Sequence, residues 1–105
     1  MSSHPTIYSG YIGENVGFSA PAPVTGSSGW TVFKMNQTEI YEVTHNLGLT
    51  HPKEQLHVVV QPMKYKVIAD IQVDENSFTI STWWSDSGGS TNSDLMFIAA
   101  YYPKM

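Results

Sequence analysis

The chain has 105 residues, of which 41% are hydrophobic and only 13% charged, with a formal net charge of −4 and no cysteine. That length suits a single domain, residues 1–105, with one core. Five Lys and Arg against nine Asp and Glu leave no phosphate-neutralising patch and so argue against nucleic acid, and the lack of cysteine removes disulfides, thiolate catalysis and sulfur-ligated metals. The missing charge is replaced by Ser, Thr, Asn, Gln and Tyr, which suits surfaces that bind neutral polar ligands or other subunits. No apolar stretch of signal-peptide length opens the sequence, and no run approaches the roughly 20 apolar residues needed to span a bilayer. The chain therefore reads as soluble and not inserted in a membrane, with its location open.

In chain order, Thr6 to Ile12 reads as a first strand. Gly13 to Ser28 is a long loop carrying Pro21, Pro23 and the Gly26-Ser27-Ser28-Gly29 run, and a loop of that length is either functional or packed against a neighbour. Trp30 to Met35 and Glu39 to Thr44 are the next strands, joined by a polar turn around Asn36 and Gln37. His45-Asn46-Leu47-Gly48 turns the chain: Gly48 permits a positive φ, Asn46 favours a turn, Leu47 can pin the loop, and His45 can bond its own turn. Leu56 to Gln61 is a β-branched strand, and Tyr65 to Val73 runs through the hairpin Asp74-Glu75-Asn76 into Ser77 to Trp84. Ser85 to Ser93 reads as a flexible Ser/Gly loop before the closing strand, Leu95 to Tyr102. Seven short antiparallel strands without a helix predict an all-β sandwich or barrel. Several strands are apolar on both faces, which one small sandwich cannot bury alone, so a homo-oligomer is expected.

Catalytic candidates are scattered. His45, Asp70, Asp74, Glu75, Asp86 and Asp94 titrate, and Ser81 or Ser85 could serve as nucleophiles, but none sits in a recognisable catalytic motif. The histidines His4, His45, His51 and His57 lack metal-ligand spacing, and calcium on Asp74, Glu75, Asp86 or Asp94 is a minor alternative. No catalytic residue, metal or cofactor is assigned. The strongest signal is aromatic: Thr82-Trp83-Trp84-Ser85-Asp86-Ser87 places two Trp at a strand end beside polar side chains. Consecutive strand residues point to opposite faces. An indole face can stack on the C–H face of a sugar while Ser85 and Asp86 fix its hydroxyls. The competing reading makes both Trp packing residues. Lys66 could donate to a ligand hydroxyl or be a solvated lysine, and Tyr41, Tyr65, Tyr101 and Tyr102 could extend the aromatic surface.

Ser9-Gly10-Tyr11-Ile12, Gly29-Trp30, Lys66-Val67-Ile68-Ala69 and Phe78 leading into Thr82-Trp83 fall in the order seen in H-type lectins, and most of the chain resembles that family. The resemblance implies an antiparallel sandwich that assembles as a trimer or hexamer and binds galactose-type sugars between protomers. It gives Lys66 the place of a sugar-contacting basic residue. Trp83 or Trp84, with Ser85 or Asp86, take the place of the family's Trp and the polar residue after it. The chain departs from that pattern in a longer loop before Trp30, in lacking the snail domains' cysteines and in its doubled Trp. Tyr41 to Gly48 is also similar to a turn of bacteriophage tail-fibre and receptor-binding proteins. The resulting expectation is a carbohydrate-binding module of six to seven strands, not an enzyme. Its site is Lys66, Trp83, Trp84, Ser85 and Asp86, and its partners are a glycan and further copies of itself. The alternative is a structural virion tail, baseplate or decoration subunit.

Overall fold

A computed structural model describes residues 4–26, 28–35 and 39–103. Its strands are β1 (Thr6–Ile12), β2 (Ala22–Pro23), β3 (Thr25–Gly26), β4 (Thr31–Lys34), β5 (Ile40–Thr44), β6 (Leu56–Pro62), β7 (Val67–Val73), β8 (Ser77–Trp84) and β9 (Leu95–Tyr101), with one helical turn, α1 (Pro52–Gln55). The strands form an all-β sandwich of two sheets, ordered β3-β1-β9-β6 and β2-β4-β5-β8-β7, and the paired strands within each run antiparallel. All seven strands expected from the β-branched and aromatic runs are present. The turn expected at Asn36 and Gln37, and Ser27 of the Gly/Ser run, lie outside the described residues. None of the described helices is long and apolar enough to cross a membrane.

Four segments depart from expectation. The first is α1, a helical turn where none was expected. Pro52 stands at its start, where a missing N–H costs nothing. Four residues cannot display a 3.6-residue period, so the apolar pattern is silent there. The second is the long loop, which is not free of structure. Its β2 pairs with β4 in one sheet and its β3 with β1 in the other, so the segment crosses the open edge of the sandwich and returns, burying Val24 between the two. Third, Tyr65 and Lys66 stand outside β7, in a turn in which the Val67 N–H donates to the Lys64 carbonyl (3.3 Å) and Lys66 has φ 63°. Finally, the Ser/Gly loop folds back along β8, where Ser90 bridges to Trp83 and the Trp84 N–H donates to the Gly89 carbonyl (2.8 Å).

The core is an aromatic cluster around Trp30. Its indole lies parallel to the Phe97 ring (5.9 Å, 1°), meets Phe78 edge-on (6.1 Å, 76°) and touches Tyr8 (4.5 Å). Burying an indole of this size contributes about 4–6 kcal/mol by area. Gly10 makes the cluster possible. A Cβ there would collide with the Phe97 ring and with Val24, so only glycine lets Phe97 pack against β1. Ile12, Leu95, Val43, Ile80 and Leu56 fill the space around these rings. A buried polar link closes one end: the Tyr41 hydroxyl donates to the Ser93 carbonyl (3.1 Å) and accepts from the Ser93 N–H (3.2 Å).

The two outer faces differ. On the five-stranded sheet the outward rows are mixed and largely polar, such as Phe33, Glu42, Thr79 and Gln72, as alternation requires of a solvated face. On the four-stranded sheet the outward residues of β1, β9 and β6 include Ile7, Tyr11, Met96, Ile98 and Val59, all exposed. The doubly apolar strands of the sequence are those of this sheet.

Candidate functional site

The sandwich ends in a rim where β6 hands over to β7 and β8 turns back toward β9. Two short segments meet there. The 63–66 turn follows Pro62, which ends β6, and the turn at 85–87 follows the close of β8. The Ser85 N–H donates to the Lys66 carbonyl (2.7 Å) and joins the two segments, while the Gly88 N–H closes the second turn on the Trp84 carbonyl (2.9 Å). Across this junction the Lys66 Nζ pairs with Asp86 Oδ2 at 3.5 Å. Both side chains remain open to solvent, at 48% and 60% exposure. Such a pair adds at most about 1 kcal/mol to the fold, and its charges stay accessible to a ligand.

Two aromatic rings stand on the same segments, each beside a lysine ammonium. Tyr65 is 83% exposed, and the Lys66 ammonium stands 5.6 Å from its ring centre. Trp84 is half-buried, with the Lys64 ammonium 5.6 Å from its ring. Exposed contacts of this kind contribute about 0.5–1 kcal/mol and are readily exchanged for a ligand. The fold thus brings together Lys66, Trp84, Ser85 and Asp86. Trp83 is not with them. It pairs with Ile68 on the outer face of the five-stranded sheet, as the alternation of β8 dictates. Lys64 and Tyr65 complete the rim instead. The signal for them was the Lys64-Tyr65-Lys66 run following Pro62, which reads as strand by composition and as turn only once Lys66 adopts its positive φ.

The titratable candidates are spread over the sandwich, with His45 beside the hairpin that carries Asp74 and Glu75. His45 is buried against the rings of Trp30 (5.7 Å) and Phe78 (6.4 Å). Its Nδ1 accepts from the Leu47 N–H (3.0 Å), bonding its own turn as the sequence suggests, while Nε2 is buried without a hydrogen-bond partner among the described residues. Burial pushes this imidazole below its ordinary pKa, opposed in part by the nearby carbonyls of Asp74 and Ser77. The β7–β8 hairpin grips the turn: the Asn76 carbonyl accepts from the N–H groups of His45 (2.9 Å) and Asn46 (3.0 Å), and Asn76 Oδ1 accepts from Gly48 (2.9 Å). Asp94 serves the other end of the sandwich. It accepts from the Glu14 N–H (2.7 Å) and from the Tyr11 hydroxyl, which together hold its carboxyl below the usual range. The same bond raises the Tyr11 phenol. Asp70 and Ser81 face each other on the outer surface of the five-stranded sheet.

The rim carries the rings of Tyr65 and Trp84, the ammonium groups of Lys64 and Lys66, the Asp86 carboxylate and the Ser85 hydroxyl. Comparison with protein-family models, with curated proteins and with solved structures finds no match for this chain.

Proposed function

We propose that this chain is a carbohydrate-binding module, not an enzyme, and that it holds a sugar ring at the rim formed by Lys66, Trp84, Ser85 and Asp86. One observation carries the reading: the segments that hold an exposed Tyr65 and a half-buried Trp84 also carry an accessible Lys66–Asp86 pair. An aromatic face takes the apolar side of a pyranose, and a charged donor beside a charged acceptor bonds vicinal hydroxyls. The resemblance to H-type lectins points to galactose-type or other cell-surface glycans. A rim this open binds one sugar weakly; a millimolar constant is only about 4 kcal/mol. Presentation on a homo-oligomer raises avidity by about 10²–10⁴ without new contacts.

A glycan-array screen of the purified protein tests this, repeated with Asp86→Ala and Tyr65→Ala. Selective glycan binding that falls at least about tenfold in either variant, with the melting temperature unchanged, is the expected result. Absence of any bound glycan would move the assignment to the second reading, a structural virion tail, baseplate or decoration subunit. The apolar outer face of the four-stranded sheet favours that reading, because it suits assembly and needs no sugar.

A further inference from the structure

The four strands β1, β3, β6 and β9 contain no Asp, Glu, Lys or Arg, so their sheet carries none of these charges. The register aligns its outward residues in three rows across β1, β9 and β6: Ile7, Ala100 and His57; Ser9, Ile98 and Val59; Tyr11, Met96 and Gln61. Val59 is 72% exposed and Ile98 57%, the most open apolar pair of the face. A groove of about 510 Å³ runs over it, lined by Tyr11, Thr25, Val59, Gln61, Met96 and Ile98. Monomers rarely leave a contiguous apolar patch of more than a few hundred Å² in water, and Ile7, Tyr11, Val59, Met96 and Ile98 together expose on the order of 500 Å².

We propose that this outer face is an interface between copies of the chain, with Ile98, Val59 and Met96 at its centre. Charge selects the occupant. Each copy carries a net charge of −4, and all of its charged residues lie outside this sheet. Two copies therefore approach here without setting like charges against each other, while a charged protein partner finds nothing to pair with. A lipid surface is disfavoured too, since no basic residue on the sheet attracts anionic headgroups. The apolar centre, extended by His57, Gln61, Thr25 and Ala100, comes close to the roughly 800 Å² per partner that a stable interface buries. The interface stands on this face alone and does not depend on the sugar reading.

Sedimentation velocity of the protein from micromolar concentration upward, with Val59→Glu and Ile98→Glu alongside it, tests the interface. The wild type is expected to sediment as a multiple of 11.7 kDa, and both variants as folded monomers. Ile68→Glu, on the outer face of the other sheet, should keep the wild-type mass. Hydroxyl-radical labelling of the wild type covers the case in which the variants misfold. Met96 and Met63 are comparably exposed in the single chain, at 49% and 55%, so assembly should protect Met96 on the face and leave Met63 on the rim reactive. A monomeric wild type, assembled face variants or equal labelling of the two methionines would each overturn the proposal.

Discussion

At the residue scale, His45 shows how a side chain set aside from chemistry still shapes stability. Its Nδ1 must stay unprotonated to accept from Leu47, and burial depresses its pKa. The unfolded chain therefore binds more protons at this site wherever the pH lies between the folded value and the ordinary value of about 6.5, and stability rises with pH across that window. Its contribution is fully present above about pH 6.5 and is lost as the pH falls through the folded value. Asp94 acts in the same direction, but its losses begin only at the lower pH where carboxylates protonate in the unfolded chain. Urea unfolding from about pH 7.5 down to about 4.5, for wild type and His45→Asn, separates the two. Asn can still accept from the Leu47 N–H but does not titrate, so the variant's stability should be flatter between about pH 6.5 and 5. Parallel curves would rule the account out. The turn itself was legible, because Asn46 and Gly48 announce their positive φ by residue type. The loss of Nε2's partners was not, because it depends on the rings of Trp30 and Phe78 closing over His45 from separate parts of the chain.

At the scale of elements, β1 and β8 begin and end where their composition placed them, since turn residues bound both strands. The helical turn α1 was invisible for the opposite reason: one side chain organises it. Gln55 is buried, and its Oε1 accepts from the N–H groups of Thr50 and His51 (2.9 Å each). Its Nε2 donates to the carbonyls of Tyr102 (3.3 Å) and Pro103 (3.2 Å). A single amide thus ties the entry of β6 to the exit of β9. Gln55→Leu should cost about 2–4 kcal/mol, because it breaks these bonds and strands buried backbone groups. Thermal or urea denaturation checks it, and a loss under about 0.5 kcal/mol would mean that water replaces the amide. The rim was half legible: Trp84, Ser85 and Asp86 follow from an aromatic pair beside a polar loop. Tyr65 was marked only as one of four tyrosines able to extend an aromatic surface, and its place in a turn did not show, because a solvent-facing turn and a strand start share its composition.

At the scale of the whole molecule, a sandwich was readable from seven short apolar runs, but the partition of strands between sheets was not. Sequence neighbours β6 and β7 fall in different sheets, while β1 lies beside β9. The same partition concentrates the doubly apolar strands in one sheet, which local alternation could not foretell. The β1–β9 pairing carries a kinetic consequence. Thr6 stands opposite Tyr101 and Ile12 opposite Leu95, so the central ladder of this sheet joins the two most distant stretches of the described chain. Until β9 docks, β1 and β6 lack their shared partner and Leu95, Phe97 and Ala99 are missing from the core. Loop-closure entropy must be overcome before those contacts stabilise anything. Refolding measured by stopped-flow Trp fluorescence should therefore take milliseconds to seconds, in a single cooperative phase, and microsecond refolding would show that a core assembles without β9.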